Sequence, residues 1–491
     1  MKIDDWMIKS GVSFGTSGAR GLVTAMTDAV CFAYTVGYLK HLTELGEFFP
    51  GCAVAIAGDL RPSTPRIMKA CVAAILYMKG DAVMCGQVPT PALCLYAFAQ
   101  GIPSLMVTGS HIPSDRNGIK YNRARGEFLK TDEEGMRHQD VELPDGWFDA
   151  NGAMIFDKSP SQHVDVIPKY TERYKDFFGS EALSGLRLGV YQHSSVGRDV
   201  LLDIVKALGA EAIALGRSES FIPVDTEAVR PEDAVLAQNW AVEHGLDAIL
   251  TMDGDSDRPL LADESGKWLR GDILGILTAR FLGARSVTTP VSSNTALEKA
   301  GFAQEIYRTR IGSPFVVKAM TDAVGKGIIP SVGYEANGGF LLASDVIYEG
   351  RSLSPLPTRD AMLPMLSTLV AARQSNQTLA ALTRSLPPRF TLSNRLVEMP
   401  TARSQEKIDL LRRAPEEEAK VLGLVAVCGG GLSHMDETDG VRMTFASEEI
   451  IHLRPSGNAP ELRVYVEADT QSRAEELLAV AMNAVACWRT N

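Results

Sequence analysis

The chain has 491 residues, of which 45% are hydrophobic and 22% charged, and its formal net charge is −11. That length exceeds what one hydrophobic core organises, so three or four domains are expected, and the acidic balance argues against a broad nucleic-acid surface. No uninterrupted apolar run approaches the roughly 20 residues needed to cross a bilayer. Residues 1–10 also lack the basic start, apolar run and cleavage site of a secretory signal, so a soluble, cytoplasmic protein is expected.

In chain order, the first chemical candidate is Phe14-Gly15-Thr16-Ser17-Gly18-Ala19-Arg20-Gly21, a glycine-rich stretch with an arginine. It fits neither the nucleotide P-loop pattern nor a dinucleotide fingerprint. Val54 to Ala57 reads as a strand, Asp59 to Thr64 as a turn and Pro65 to Lys79 as a helix, with Ile67, Ala70, Cys71, Ala74 and Ile75 at helical spacing. The apolar stretch Ile102 to Met106 leads into Val107-Thr108-Gly109-Ser110-His111-Ile112-Pro113 and on to Lys120. A serine at the mouth of a strand suits a nucleophile or phosphate carrier, and equally a capping turn. A Ser-His-Asp hydrolase is disfavoured because neighbours in an extended turn point apart and no Gly-x-Ser-x-Gly elbow occurs.

A second βα unit is expected to open at Leu186 to Tyr191, with a helix over 198–208 and a later strand at Ala248 to Thr251, and a third at Ser286 to Thr289. The sharpest signal follows Ala248 to Leu250: Asp253, Asp255 and Asp257 alternate before Arg258. Three carboxylates this close repel one another unless a cation neutralises them, and hard oxygen donors suit magnesium or calcium. A calcium EF-hand is excluded because its sixth position needs glycine, where this chain has Arg258 followed by Pro259. A phosphatase using Asp253 as nucleophile remains open, as does an acidic surface turn.

In Val332-Gly333-Tyr334-Glu335-Ala336-Asn337-Gly338-Gly339, two readings stand open: Glu335 and Asn337 on one side of an extended segment, able to bind vicinal hydroxyls, or a turn with an ordinary exposed Glu335. After Pro387-Pro388 the pattern changes to a helix over 405–413, strands over 450–453 and 462–466, and a closing helix over 472–488. Between those strands lies Arg454-Pro455-Ser456-Gly457-Asn458-Ala459-Pro460, followed by Arg463, an inventory for gripping a phosphate dianion and equally that of a surface turn with incidental arginines. Seven cysteines with no Cys-x-x-Cys pair, several in apolar patterns as at Cys71 and Cys94, read as reduced and buried.

These five segments, in this order from Phe14 to Arg463, resemble the α-D-phosphohexomutases. There the serine loop reads Thr-Ala-Ser-His-Asn-Pro, the metal loop Asp-Gly-Asp-Gly-Asp-Arg, and the last loop Arg-x-Ser-Gly/Asn-Thr-Glu-Pro. The resemblance implies a phosphorylated Ser110. It further implies Mg2+ held by Asp253, Asp255, Asp257 and the Ser110 phosphate. Arg20, Lys120, His111 and Arg258 complete the implied catalytic set, with Arg20 and Lys120 as acid/base or charge-stabilising groups and Arg258 beside the metal. Glu335 and Asn337 fall where the family contacts sugar hydroxyls, and Arg454, Ser456, Gly457, Asn458 and Arg463 where it holds the non-reacting phosphate.

The implied fold is α/β, with three similar α/β domains containing mixed sheets and a smaller C-terminal α+β domain. Boundaries are expected near 165, 285 and 385, giving segments 1–165, 166–285, 286–385 and 386–491. The implied activity interconverts hexose 1- and 6-phosphates, with a hexose 1,6-bisphosphate as activator and intermediate and no nucleic-acid or membrane partner. The opening segment is most similar to bacterial members acting on mannose phosphates, with glucose and glucosamine phosphates as alternatives. A magnesium-dependent sugar phosphatase and a silent sugar-phosphate binder are the readings outside the mutase class.

The chain departs from the family at several places. Gly109 stands for alanine and Ile112 for asparagine, changes the loop is expected to tolerate. Asn458-Ala459 replaces Thr-Glu, the Glu335 loop lacks a Ser-Gly-His ending, and Ser313 stands where some members have histidine.

Overall fold

The computed structural model describes residues 1–15, 18–456 and 460–489. The chain divides into two compact units, residues 1–285 with 312–382, and residues 286–311 with 383–491.

Unit 1 opens with an eight-stranded mixed sheet. Its order is Ser13–Phe14, Ala19–Leu22, Arg116–Arg123, Ser104–Val107, Ala53–Gly58, Asp81–Gln87 and Gln162–His163, with Gly126–Glu127 pairing to Arg116–Arg123. Ala53–Gly58 (AVAIAG) is almost wholly buried between parallel neighbours, which is why it is a run of small apolar residues without polar alternation. The expected helix spans Thr64–Tyr77, two residues short of the sequence reading, because Lys79 turns left-handed at φ 63° and ends it. Phe32, Tyr34, Tyr38, Val54, Ile56 and Ile75 belong to the core of this section.

The second section has the sheet order Glu211–Arg217, Arg187–His193, Ala248–Met252 and Pro259–Ala262. The first three strands run parallel, and the last two form an antiparallel hairpin pairing Met252 with Pro259. The acidic hexapeptide is therefore the turn of a hairpin at the carboxyl end of a buried parallel strand. In the third section Ser331–Tyr334, Phe340–Leu342 and Leu356–Asp360 are antiparallel. Asp360, buried at the end of the last of these strands, accepts from Tyr170 Oη at 2.9 Å and Tyr174 Oη at 2.5 Å.

Unit 2 pairs Ser286–Pro290 in parallel with Glu305–Thr309. It also contains an antiparallel sheet in the order Phe390–Leu396, Leu462–Ala468, Ile450–Pro455, Val441–Phe445 and Leu432–Asp436. Gln471–Ala486, capped by Thr470 Oγ1 accepting from Arg473 N at 3.2 Å, packs Leu477, Ala481 and Val485 into that core. The expected closing helix holds to Ala486, and Cys487–Arg489 tighten into a 3-10 turn. Residues 286–311 are tied into the unit by Asn294 Nδ2, which donates to Arg389 O at 2.8 Å and Thr391 Oγ1 at 3.1 Å. Six of the seven cysteines are buried free thiols and Cys487 is exposed.

Unit 2 also contains a buried histidine with a consequence for stability. His452 is 1% exposed, stacks on Tyr465 at 5.1 Å and shares a 2.6 Å hydrogen bond with Asp439 O. Burial, with Arg442 and Arg454 nearby, pushes its pKa down to about 4 against the opposing effect of Asp439. The unfolded chain, with a histidine pKa of about 6.5, takes up the proton first. The contribution of neutral His452 to stability is therefore fully present above about pH 6.5 and is lost as the pH falls toward 4, by up to about 3 kcal/mol. His452→Gln is expected to flatten the pH 4 to 6.5 limb of a urea-unfolding series. An unchanged slope in that variant would refute the assignment.

Candidate active site

Ser110 is fully buried and adopts the left-handed conformation at φ 57°. Its amide donates to Thr108 Oγ1 at 2.8 Å, and Thr108 Oγ1 donates to Asp59 Oδ2 at 2.7 Å. The loop is gripped from behind by Arg61, which is 0% exposed. Its Nη2 donates to Ser110 O at 2.8 Å and Ile112 O at 2.6 Å. Its Nη1 reaches Pro113 O at 2.7 Å and Arg116 O at 3.0 Å, and Nε reaches Asp59 Oδ2 at 3.1 Å. The ring of Phe221 covers the guanidinium at 4.0 Å. A Cβ on Gly109 would lie 2.7 Å from Arg61 Cζ, which accounts for glycine where the family usually has alanine.

The left-handed turn corrects one expectation. Ser110 and His111 do not point apart: Ser110 Oγ lies 3.4 Å from His111 Nδ1. That nitrogen also faces Arg258 Nη1 at 3.0 Å, and burial, then Arg258 and Arg20, push the imidazole pKa down to about 2. A neutral His111 accepting from Arg258 has no lone pair at Nδ1 to activate Ser110. The hydrolase reading is disfavoured on this ground instead.

Ser110 Oγ donates to Asp253 Oδ2 at 2.6 Å, which joins the serine loop to the acidic turn. Asp253 Oδ1 accepts from Asp257 N and Arg258 N, both at 3.2 Å. Asp253, Asp255 and Asp257 are at most 1% exposed, and one ligand atom from each lies within 4.8 Å of the others. Burial and the two neighbouring carboxylates raise the proton affinity of Asp253. Asp257 is driven the other way, its carboxyl held below the usual range against burial by Arg359, Lys120 and Arg258. Lys120 Nζ donates to Asp255 Oδ2 and Asp257 Oδ2, each at 2.5 Å. Thr90, at the start of the helix Thr90–Gln100, donates to Asp255 Oδ2 through Oγ1 at 2.6 Å and to Asp255 O through its amide at 3.0 Å.

Asp255 Oδ1 and Asp257 Oδ1 are buried and have no hydrogen-bond partner among the described residues. Buried carboxylate oxygens without donors are costly, and two of them beside Asp253 form the hard-oxygen donor set that a divalent cation such as Mg2+ needs. The residues present fit such an ion.

Arg20 and Lys120 come from adjacent antiparallel strands. Arg20 is opposite Gly118, so Lys120, two residues on, shares its face of the sheet. A Cβ on Gly118 would sit 2.9 Å from Arg20 Cγ. Burial and then Arg258 push the Arg20 pKa down to about 10.

Of the two readings open from sequence, extended segment and turn, the structure shows a turn: Glu335, which is buried rather than exposed, and Asn337 lie in the tight reversal between Ser331–Tyr334 and Phe340–Leu342. Glu335 N donates to Gly339 O at 3.1 Å and Gly338 N to Glu335 O at 2.9 Å. Gly338, at φ 88°, makes the reversal possible. Asn337 Oδ1 accepts from Gly339 N at 3.0 Å, so its side chain braces the turn. Ser313 Oγ donates to Glu127 Oε2 at 2.7 Å and Thr358 Oγ1 to Glu127 Oε1 at 3.0 Å.

The expected phosphate-gripping residues lie in unit 2. Arg454 and Arg463 are directly opposite each other on paired strands, and Arg395 is opposite Arg463 on the other side. Three arginines in one cross-strand row repel unless anions intervene. Arg454 Nε pairs with Asp439 Oδ2 at 2.9 Å and Arg395 Nη1 with Glu461 Oε1 at 3.2 Å. Ser456 is buried, its amide donating to Glu461 O at 2.8 Å. Gly457 and Asn458 lie outside the described residues, as do Thr16 and Ser17 of the glycine-rich loop.

Sequence reasoning missed Arg61, Thr90, Arg359 and Arg395. Of these only Arg61 had a local signal, an Asp-x-Arg turn directly after a buried strand.

Family models describing the phosphoglucomutase/phosphomannomutase α/β/α domains I, II and III match residues 11–137, 168–266 and 270–390, and the C-terminal domain of the same family matches 405–484. The chain belongs to the phosphoglucomutase/phosphomannomutase family, a class of phosphohexomutase isomerases, and has that family's fold of three α/β domains and a C-terminal domain. It is 41% identical over 470 residues to a phosphomannomutase of Sinorhizobium fredii, covering 96% of this chain and 98% of the relative. A phosphomannomutase of Salmonella muenchen is 42% identical over 472 residues, covering 96% and 95%. Among solved structures, a phosphoglucomutase/phosphomannomutase family protein of Burkholderia thailandensis has the same fold, with a TM-score of 0.73 at 19% identity over 97% of this chain and 98% of that one. The N-acetylphosphoglucosamine mutase of Aspergillus fumigatus, solved with GlcNAc-6P and magnesium, gives 0.59 at 15% identity over 99% and 98%. No helix among the described residues is long and apolar enough to cross a membrane.

Proposed function

We propose that this chain is a phosphomannomutase, interconverting mannose 6-phosphate and mannose 1-phosphate through a phosphorylated Ser110 and a hexose 1,6-bisphosphate. The observation that carries the reading is the 2.6 Å hydrogen bond from Ser110 Oγ to Asp253, which joins a buried, conformationally fixed hydroxyl to a three-carboxylate loop. The relatives at 41% and 42% identity support mannose as the sugar.

In this reading Asp253, Asp255 and Asp257, with the Ser110 phosphate, hold Mg2+, which supplies charge stabilisation for the transferred phosphoryl. Arg20, Lys120 and Arg258 add positive charge around the same loop. Lys120 and Arg20 are also the groups within the site that can exchange a proton with a sugar hydroxyl. His111 orients Arg258 by accepting its hydrogen bond. Glu335 and Asn337 meet sugar hydroxyls, while Arg454, Ser456, Gly457, Asn458 and Arg463 hold the phosphate that is not reacting. The fourfold division near 165, 285 and 385 belongs to this reading and is supported by the four matched segments.

A phosphatase with Asp253 as nucleophile is disfavoured, because both oxygens of Asp253 are committed to hydrogen bonds from Ser110, Asp257 and Arg258. The test is phosphopeptide mapping of the purified protein, joined to an assay of mannose 1-phosphate with Mg2+ and a trace of hexose bisphosphate. Phosphate on Ser110 and conversion to the 6-phosphate, lost on chelation and regained with Mg2+, are the expected results. Release of inorganic phosphate, or no conversion of any hexose phosphate after priming, would overturn the proposal.

A further inference from the structure

Arg359 lies on the strand Leu356–Asp360, is 3% exposed, and stands among carboxylates from two turns and the short strand Gly126–Glu127. Its Nε and Nη2 reach Asp257 Oδ2 at 3.1 and 3.0 Å, and its Nη1 reaches Glu335 Oε2 at 3.4 Å. Its charge also acts on Glu127, the carboxylate held by Ser313 and Thr358.

Two features make this more than a buried ion pair. First, Arg359 and Lys120 both bind the same oxygen of Asp257, leaving Oδ1 with no hydrogen bond and only a 3.7 Å approach from Arg258 Nε. A carboxylate gripped through one oxygen cannot rotate without losing those bonds, so its other oxygen is presented in a fixed direction. Second, the Glu335 turn is shaped around the arginine. A Cβ on Gly339 would lie 2.5 Å from Arg359 Cδ and 2.8 Å from Cγ, so the absent side chain is the passage for the arginine stem. This gives a physical reason for glycine at position 339, where the Ser-Gly-His ending would place histidine.

We propose that Arg359 is a positioning residue that couples the metal loop to the sugar-recognition turn, fixing Asp257 with Oδ1 free for a cation and holding Glu335 in place as an acceptor for substrate hydroxyls. The assignment rests on the phosphohexomutase reading for the sugar and on geometry alone for the cation. Lysine cannot replace this arginine, because an ammonium lacks the planar fork that meets Asp257 through Nε and Nη2 while Nη1 reaches Glu335.

The test uses the full-length protein and two variants. Arg359→Lys keeps the charge and loses the fork. Gly339→Ala keeps the arginine and displaces its stem. Mn2+ binding is followed by electron paramagnetic resonance, and KM and kcat are measured for mannose 1-phosphate. Arg359→Lys is expected to weaken Mn2+ binding by about 10- to 100-fold, the range for groups that orient metal ligands, and to raise KM. Gly339→Ala is expected to move both quantities in the same direction. Mn2+ affinity and KM within about twofold of the parent in either folded variant would overturn the proposal. So would weakened Mn2+ binding with an unchanged KM, because the coupling would then be absent. If Arg359→Lys fails to fold, Gly339→Ala decides the matter. If the parent protein converts no hexose phosphate, the functional reading fails, while the Mn2+ comparison still decides the role of Arg359 at the metal loop.

Discussion

Replacing Ser110 by alanine is expected to lower hexose phosphate turnover by at least about 10,000-fold, because among the described residues no other hydroxyl donates to the Asp253 carboxylate, Ser195 Oγ bonding only its main-chain carbonyl at 2.9 Å. The variant should fold. Alanine loses one hydrogen bond to Asp253, worth about 1 kcal/mol, and the loop remains held by Arg61 through its main-chain carbonyls. Metal binding by Asp253, Asp255 and Asp257 should persist within a few-fold, since the acidic turn keeps its own backbone bonds. The decisive comparison is turnover by Ser110→Ala and by the parent protein, both primed with bisphosphate. Near-normal turnover by the variant would remove the carrier role and with it the proposed mechanism.

Arg61→Ala is expected to have the largest effect on stability, about 3–5 kcal/mol, read as a lowered urea midpoint. The substitution strips donors from the carbonyls of Ser110, Ile112, Pro113 and Arg116 and leaves Asp59 as a buried carboxylate without its cation. Arg61→Lys should restore only part of the loss, because an ammonium cannot reach four carbonyls and a carboxylate from one stem. A loss below about 1 kcal/mol in Arg61→Ala would show that the serine loop is held by other means.

The parts of this molecule that could be read from sequence are those whose chemistry is contiguous. Ala53–Gly58 and Thr64–Tyr77 are visible because burial imposes an apolar run on one and helical spacing on the other. Asp253, Asp255 and Asp257 are visible because one hairpin turn supplies all three. Arg359 is invisible, because its partners Asp257 and Glu335 lie on other loops and nothing in Thr358-Arg359-Asp360 distinguishes a site from a strand end. The conformation at Glu335 stays open in the sequence, because Gly338-Gly339 signals a reversal while glycine pairs also occur where backbone must simply pass close. The Ser110–His111 geometry is hidden for a different reason: a single left-handed residue redirects both side chains, and serine carries no marker for that conformation. The departures from the family proved the most informative residues. Gly109 and Gly339 each mark the path of a buried arginine.

The two-piece construction of unit 2 bears on how the chain is made. Residues 286–311 leave the ribosome well before residues 383–491, yet Asn294 and Thr295 bond to Arg389, Thr391 and Glu467 of the later piece. At about 5–20 residues per second, the early piece waits from several seconds to tens of seconds for those partners to emerge. During that interval its strands Ser286–Pro290 and Glu305–Thr309 lack the bonds that Asn294 and Thr295 later make. Nascent chains stalled before residue 383 should accordingly be more readily cleaved by protease within residues 286–311 than chains released at full length.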